Sequence, residues 1–323
     1  MLRHVLFCPI WCQRSASIEV NGKDGDYPRS PPHREPVPIV TLPDSSPGTK
    51  KKHKTTLRVI SWNIERGLEL EGIVRALRHV DADVLLLQEV DVGCNRTHKI
   101  DVAAHLASAL EGIISYAYVK EFDEHAQGLG AHHGNAILSK VPLTQAWAVR
   151  DVVRPFHWER LGATIGEPRS GARVALGALL GSELPIEVWS LHLENFCSPL
   201  ERWAQLEASS ALPTWEARRV GRRTVLAGDL NTAADSCLVR WLPTYWGPCV
   251  PNPEGEVEYF RRRLRSEWNL DDPSTEHTMS ALWGCVKLKL DWLASDLRRN
   301  SPVAVGGDGL SDHRFLHVDY LLV

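Results

Sequence analysis

The chain has 323 residues, of which 43% are hydrophobic and 24% are charged, proportions that are ordinary for a globular protein. This length corresponds to one large or two ordinary domains with a sizeable core. The formal net charge of -3 excludes a strongly basic nucleic-acid footprint over the whole protein, although a local groove with a metal ion would not need one.

The seven cysteines are scattered along the chain and form neither a CxxC pair nor a Cys/His cluster at zinc spacing. They predict free, mostly buried thiols in a reducing intracellular compartment. Because no apolar run approaches the ~20 residues of a membrane helix, we expect no integral membrane contact. We also expect a monomer.

Residues 1–55 differ in composition from the rest of the chain. The proline-rich segment PRSPPHREPVP is followed by the basic segment GTKKKHK, and neither can bury a core. We therefore predict a disordered leader over 1–55 and a folded domain over 56–323. The short apolar run from Val5 to Trp11 also fits an organelle-targeting segment, so both interpretations of this end stay open.

The folded domain alternates predicted strands and helices. The run Val84–Leu87 is apolar on both faces, as in a parallel strand covered by helices. Other strands are predicted at 57–62, 116–122, 135–139, 173–180, 186–192, 224–228, about 288–294 and 314–322, and helices at 70–80, 101–110, 199–212 and 236–242.

Polar side chains lie at six strand ends. Taken alone, each has an ordinary explanation, because Asp and Asn are common turn formers and a lone histidine in a strand is usually structural. So many polar groups at strand ends favour one shared active-site cleft, because α/β folds place their catalytic residues at the ends of strands. The residues are Asn63, Glu89, His192, Asp229, Asn231, Asp291, Asp312 and His313.

The segments SWNIERG, LLLQEV, SLHLEN, AGDLNT, LDWL and LSDH, in this order, resemble the signature set of the endonuclease/exonuclease/phosphatase superfamily. The match runs from about Leu57 to the last residues. The resemblance implies an α/β (α+β) fold, a four-layer sandwich in which two packed mixed β-sheets are flanked by helices. It also implies that 56–323 is a catalytic domain that hydrolyses phosphoesters with a divalent metal.

The resemblance further implies where the metal is held. Hard oxygen ligands select Mg²⁺ or Mn²⁺. Glu89 is expected to be the principal ligand, with Asn63 supplying a neutral oxygen and Asp312 lying close to the same ion.

The remaining groups are assigned to proton transfer and phosphate binding. Asp229 would accept a proton from the attacking water or orient it, and Asn231 would fix that water or a phosphate oxygen. His313 would bind the phosphate or help protonate the leaving oxygen in its charged form, which Asp291 would hold.

His192 is expected to meet another phosphate oxygen, as the corresponding histidine does in the deoxyribonuclease branch, with Glu121 as its partner. Arg96 and Arg173 are further candidates for phosphate contact, because guanidinium groups fit its oxygens. The pair His132-His133 is predicted to lie in a flexible surface loop and not to share an ion. The cluster Arg261–Arg265 is interpreted as a solvated helix face, with a phosphate-facing patch as the alternative.

The substrate is the least determined part of the function. The motif after Glu89 lacks the Thr and basic residue usual in abasic-site endonucleases, and the PAWCDR signature of inositol 5-phosphatases is absent. Both subtypes are disfavoured. Nucleic acid, DNA or RNA, is the first hypothesis. A sphingomyelinase-like phospholipase C or a small phosphoester phosphatase is the second, and a catalytically silent binding protein is the third.

Overall fold

The computed structural model describes residues 33–43, 55–150, 153–181, 185–211, 217, 219–232, 255–281 and 286–322. Two large mixed β-sheets pack against each other, and helices cover the outer side of each. The predicted four-layer α/β sandwich is therefore confirmed.

Strands and helices follow one another along the described residues. The strands are β1 (Glu35–Pro36), β2 (Ile39–Thr41), β3 (Thr56–Arg66), β4 (Val84–Val92), β5 (Ser115–Glu124), β6 (His132–Ser139), β7 (Leu143–Arg150), β8 (Arg169–Gly171), β9 (Val174–Leu180), β10 (Ile186–His192), β11 (Arg223–Asp229), β12 (Met279–Ala281), β13 (Val286–Leu288), β14 (Asp291–Ser295), β15 (Ala304–Gly306) and β16 (Phe315–Leu321). The α-helices are α1 (Leu70–Val80), α2 (Val102–Ala109), α3 (Trp158–Leu161), α4 (Pro199–Leu206) and α5 (Glu256–Trp268).

The two sheets differ in strand order but share one arrangement of parallel strands. The six-stranded sheet has the order β1-β7-β9-β10-β11-β14, and the eight-stranded sheet runs β15-β16-β3-β4-β6-β5-β2, with β8 also paired to β5. Strands β3 and β4 are parallel in one sheet, and β10 and β11 are parallel in the other. The edge at which these four strands end is called the mouth edge below, because the candidate site lies there.

Each sheet is buried on both faces, which explains the long apolar runs. In β3, Val59 packs into the core between the sheets, whereas Ile60 and Trp62 pack against the helices on the outside. The outer core of the six-stranded sheet is aromatic, with Trp203 of α4 and Phe260 of α5 in contact at a ring-centroid distance of 5.1 Å.

Residues 33–43 correct the predicted leader. Strand β1 pairs antiparallel with β7 in the six-stranded sheet, and β2 pairs antiparallel with β5 in the eight-stranded sheet. Both are edge positions, where proline is tolerated because one side of the strand needs no ladder hydrogen bonds. The rest of the leader, including the candidate targeting segment, and the predicted helix 236–242 lie outside the described residues.

The histidine pair is also placed differently from the prediction. His132 and His133 belong to β6, and His133 is buried with its Nδ1 atom 2.6 Å from Oε1 of Glu124. The Nδ1 atom of His132 instead faces the carbonyl oxygen of Gly130 at 2.8 Å. Neighbouring residues of a strand point to opposite sides of the sheet. That the pair shares no ion stays a prediction.

The arginine cluster lies on α5, and its side chains meet carboxylates. Arg263 contacts Glu267 at 2.6 Å, and Arg261 contacts Glu258 at 2.9 Å. These pairs at i,i+3 and i,i+4 spacing fit the interpretation as a solvated helix face.

Two of the seven cysteines, Cys94 and Cys197, are described and are free and buried. Within the described segments, no helix is long and apolar enough to cross a membrane.

Gly228 is required by the close approach of β10 and β11 at the mouth edge. A Cβ atom on this residue would lie 1.9 Å from the carbonyl oxygen of Leu191, and its φ of +143° is one that side chains disfavour. We expect Gly228→Ala to lower the free energy of unfolding by about 3 kcal/mol or more. Gly221→Ala is the control, because its φ is +76° but its Cβ would meet nothing within 4 Å. Urea titration that finds equal losses in both variants would contradict this account.

Candidate active site

Three of the predicted site residues lie side by side in the six-stranded sheet. His192 is the last residue of β10 and Asp229 the last of β11, and they are register partners. Asp229 is in turn paired with Asp291, the first residue of the antiparallel strand β14. The strand pairing alone therefore places an imidazole and two carboxylates in one row at the mouth edge.

The eight-stranded sheet contributes Asn63 and Glu89 from two irregular positions. Strands β3 and β4 continue past the predicted ends, but their pairing shifts register between Asn63 and Arg66 and between Leu87 and Val90. Glu89 has a φ of +55°. Such irregularities change the direction of side chains. This explains why Glu89, which lies inside β4, contributes to the site at the mouth edge.

Contacts between the sheets join the two sets. The Nδ2 atom of Asn63 donates a hydrogen bond to Oδ2 of Asp229 at 3.1 Å. The Nε2 atom of His192 lies 3.9 Å from Oε1 of Glu89 and 3.5 Å from Oδ2 of Asp229. Residues that are up to 166 positions apart in the chain thus meet in one place.

His313 lies between two carboxylates. Its Nδ1 atom is 2.8 Å from Oδ2 of Asp291, and its Nε2 atom is 3.6 Å from Oδ2 of Asp229. Burial lowers the pKa of His313, but the charges of Asp291, Asp229 and Asp312 outweigh burial and raise that pKa well above its usual value. The imidazolium form therefore predominates at neutral pH. The catalytic role expected for Asp291 stays a prediction.

His192 has the opposite electrostatic environment. Its Nδ1 atom is 3.4 Å from Oε2 of Glu121, and Nη1 of Arg173 lies 2.9 Å from the ring nitrogens. Burial and then the charge of Arg173 lower the pKa of His192 well below its usual value, although Asp229 opposes them. His192 is therefore neutral at pH 7. The predicted partner Glu121 is in place, and Arg173 reaches the site.

Arg96 does not take part. Its guanidinium is held by both carboxylate oxygens of Asp91 at 2.7 Å each, and Glu124 lies 3.2 Å away. These contacts tie the turn after β4 to β5. Arg96 is therefore a structural residue, and of the two candidate arginines only Arg173 lies in contact with the predicted site.

Asn231 holds Asp229 in place. Its backbone N–H donates to Oδ1 of Asp229 at 2.9 Å, and its Nδ2 atom donates to the carbonyl oxygen of Leu193 at 3.0 Å. Asn63 and Asn231 together donate one hydrogen bond to each carboxylate oxygen of Asp229. Its expected contact with a water or a phosphate oxygen stays a prediction, and the structure adds this positioning contact.

Two site residues were missed by sequence reasoning, Glu65 and Arg66. The backbone N–H of Glu65 donates to Oδ1 of Asn63 at 3.1 Å, and its Oε2 atom accepts from the backbone N–H of Asp312 at 3.0 Å. Arg66 forms an ion pair with Glu89. Glu65, Arg66 and Gly67 all have positive φ, which turns the chain back toward the mouth. The available signal was the charged pair Glu65-Arg66, which begins two residues after Asn63 in SWNIERG.

Two groups of donors could hold a divalent cation. Asp229, Asp291 and His313 each offer a ligand atom within 4.8 Å of the others, and Oδ1 of Asp291 is buried with no hydrogen-bond partner among the described residues. A protonated imidazole has no lone pair for a metal, however. At neutral pH this cluster suits proton transfer and phosphate binding better than it suits an ion.

The second group is the predicted one, Glu89 and Asn63 with Asp312 nearby. The carboxylate of Glu89 has a cationic partner here, the guanidinium of Arg66, so this position accepts positive charge. Carboxylate and amide oxygens are the hard donors that Mg²⁺ and Mn²⁺ take. Asp312 is exposed and is linked to the group through Glu65. The residues present therefore fit a hard divalent cation.

Comparisons with known proteins bear on the fold and on the family. Several solved structures have similar folds, while no curated protein sequence matches the chain. An endonuclease/exonuclease/phosphatase from Beutenbergia cavernae DSM 12333 has 19% identity and a TM-score of 0.58, covering 83% of this chain and 72% of that chain. The human nocturnin catalytic domain with bound sulfate has 17% identity and a TM-score of 0.53, covering 90% and 99%. ANGEL2, a 2',3'-cyclic phosphatase, has 16% identity and a TM-score of 0.51, covering 88% and 97%.

At these identities the structural matches establish the fold alone. The sequence itself gives the family, because a profile of the Endonuclease/Exonuclease/phosphatase family matches residues 60–313, from β3 to His313. The protein therefore belongs to the endonuclease/exonuclease/phosphatase family, whose members hydrolyse phosphoester bonds.

Proposed function

We propose that the protein is a divalent-metal-dependent phosphodiesterase that uses in-line attack of an activated water, with nucleic acid as its substrate. The observation that carries this proposal is the meeting of Asn63 and Glu89 from one sheet with His192, Asp229 and the Asp291–His313 pair from the other. Acid, base and cation-binding groups are then within reach of one phosphate.

A phosphodiester resists hydrolysis because its negative oxygens repel a hydroxide nucleophile. The site must neutralise that charge and orient the attacking water. Bound Mg²⁺ or Mn²⁺ would supply positive charge to the phosphate oxygens. Glu89 and Asn63 would hold the ion, with Asp312 close to it. Arg173 adds a second, permanent positive charge beside His192.

Asp229 is the proton acceptor in this proposal. Hydrogen bonds from Asn63 and Asn231 fix both its oxygens, so its orientation does not depend on the substrate. Because the Nε2 atom of His313 faces Asp229 at 3.6 Å, His313 lies on the side of the attacking water. In-line attack expels the leaving group on the opposite side. This geometry favours phosphate binding over protonation of the leaving oxygen as the role of His313.

A second candidate is a sphingomyelinase-like phospholipase C. Leu68 follows β3, and Leu129 lies between β5 and β6; both loops are at the mouth edge of the eight-stranded sheet. Leu68 is 47% exposed and Leu129 is fully exposed. Exposed apolar side chains next to the mouth would suit a lipid surface.

The proposal is tested with single- and double-stranded DNA, RNA, sphingomyelin and bis(p-nitrophenyl) phosphate as substrates, each with Mg²⁺, Mn²⁺ or EDTA. We expect hydrolysis of nucleic acid with either metal and none with EDTA. Glu89→Gln is expected to raise the Mg²⁺ concentration for half-maximal activity at least about 10-fold, because a ligand charge is lost. Glu258→Gln is the control, since Glu258 lies on α5 and is 52% exposed.

Activity that persists in EDTA would contradict the metal-dependent mechanism. Hydrolysis of sphingomyelin alone would select the second candidate. If no substrate is turned over with any metal, the catalytically silent binding protein becomes the better description.

A further inference from the structure

Arg66 is a basic residue of the candidate active site to which the chemistry above gives no role. It is the last residue of β3, and its guanidinium forms an ion pair with Oε2 of Glu89. The side chains of Arg66 and Glu89 are only 14% and 16% exposed, so solvent and salt screen this pair weakly. Glu89 is also the residue expected to be the principal ligand of a divalent cation. The carboxylate of that ligand therefore already has a cation of the chain as its partner.

Strand pairing places Arg66 beside Glu89. The register between β3 and β4 shifts after Asn63, and pairing resumes where Arg66 meets Val90, the residue that follows Glu89. Arg66 has a φ of +67°, so its side chain leaves the strand in an unusual direction. The guanidinium is therefore brought to Glu89 by the backbone of two paired strands, and not by a side chain that moves freely on the surface.

The other neighbours of Arg66 do not compete with Glu89 for its charge. Burial and then the charge of Arg66 lower the pKa of His133 well below its usual value. Burial and Arg173 lower the pKa of His192, and Arg66 adds to that effect. The guanidinium therefore lies close to two neutral rings. Within the described part of the chain, Glu89 is the one carboxylate with which Arg66 forms an ion pair.

A divalent cation that approaches Glu89 meets the positive charge of Arg66. The guanidinium contacts Oε2 of Glu89, while Oε1 faces Nε2 of His192 at 3.9 Å. A cation that takes Oε2 has to replace the guanidinium. A cation that takes Oε1 lies next to a like charge, which disfavours it. In both cases the presence of Arg66 weakens the binding of the cation.

We propose that Arg66 competes with the divalent cation for Glu89 and thereby sets the affinity of the active site for that cation. This inference rests on the proposed function, because it concerns the metal site proposed there. When no metal ion is bound, the guanidinium stabilises a carboxylate that would otherwise be mostly buried without a cationic partner. Coupling of this kind is reciprocal, so the cation weakens the ion pair by the same factor by which Arg66 weakens cation binding.

The test measures the Kd of the substrate-free, full-length protein for Mn²⁺ by electron paramagnetic resonance. Arg66→Met removes the charge and supplies a soft thioether, which a hard cation does not select. It is expected to tighten Mn²⁺ binding by roughly 5- to 150-fold. Arg66→Asn, which tolerates the left-handed φ, is a second neutral variant and should act in the same direction. Arg66→Lys keeps the charge and should stay closer to the wild-type protein.

Arg78→Met is the matched control, because it removes one positive charge from the last turn of α1, where Arg78 donates to the carbonyl oxygen of Ala109. Its Kd for Mn²⁺ should equal that of the wild-type protein. The second part of the test repeats the comparison in a Glu89→Gln background. There Arg66→Met is expected to tighten Mn²⁺ binding much less, because the carboxylate for which the two cations compete is gone.

An equal gain with and without the Glu89 carboxylate would overturn the proposal, because Arg66 would then act only through its general charge. An unchanged Kd in both Arg66→Met and Arg66→Asn would overturn it as well. If that result came with metal-dependent hydrolysis by the wild-type protein, this inference would fail and the phosphodiesterase proposal would stand. If neither the wild-type protein nor the Arg66 variants bind Mn²⁺, both fail.

Discussion

Asp229→Asn is expected to lower kcat by roughly 10²- to 10⁴-fold, with a much smaller change in KM. The substitution keeps the size of the side chain but removes its ability to take a proton. It also places an amide NH₂ group next to one of the donors that now hold Asp229, the Nδ2 of Asn63 or the backbone N–H of Asn231. The negative charge between His192 and His313 is lost as well.

The matched control is Asp81→Asn. Asp81 is 74% exposed and follows α1, and its left-handed φ of +53° is one that asparagine tolerates. Steady-state kinetics with Mg²⁺ and thermal unfolding on both variants separate chemistry from folding. A wild-type kcat in Asp229→Asn, with the fold intact, would remove Asp229 from the role of proton acceptor.

Asp291→Asn is expected to change both the size and the pH dependence of kcat. In the wild-type protein, three carboxylates keep the pKa of His313 raised despite burial, so the imidazolium is lost only as pH rises through that raised pKa. Removing the carboxylate of Asp291 lowers the pKa of His313. The alkaline limb of the kcat profile should therefore move to lower pH, because a phosphate-binding imidazolium is needed.

At neutral pH the same variant is expected to have a kcat that is roughly 10²- to 10⁴-fold lower. The amide of asparagine is also a weaker acceptor than a carboxylate for the Nδ1–H of His313, so the ring is oriented less firmly. The measurement is kcat against pH for the wild-type protein and the variant. Asp123→Asn, on an exposed carboxylate paired with Lys120, is the control. An alkaline limb at the same pH in all three proteins would show that His313 does not act as a cation.

The fold was predictable wherever apolar periodicity decided the structure. Val84–Leu87 was recognised as a buried parallel strand because both its faces are apolar. The true C-terminal ends of β3 and β4 could not be predicted. Strand pairing resumes after the irregularities at Asn63 and Glu89, and nothing in the local composition indicates that it does. The histidine pair in β6 was missed for a related reason. Flanking glycines indicated a loop, whereas pairing with β4 and β5 imposed a strand.

The site was predictable in its membership more than in its contacts. Motif order identified Asp229 and His313, but only the folded sheets bring Asn63 against Asp229, 166 positions away. The pKa values of His192 and His313 move in opposite directions because one lies beside Arg173 and the other beside Asp291. No local pattern could give that difference, since both partners come from other strands.

The segment 33–43 has a consequence for where the stable unit begins. Its eleven residues contain one short strand that pairs with β7 and, after two more residues, another that pairs with β5. A single short segment is therefore hydrogen-bonded to both sheets. A shortened protein that starts at residue 55 would leave unsatisfied backbone groups along β7 and β5. Open sheet borders of this kind recruit other chains. Self-association of such a truncated form would result from the loss of β1 and β2, not from a change in the candidate active site.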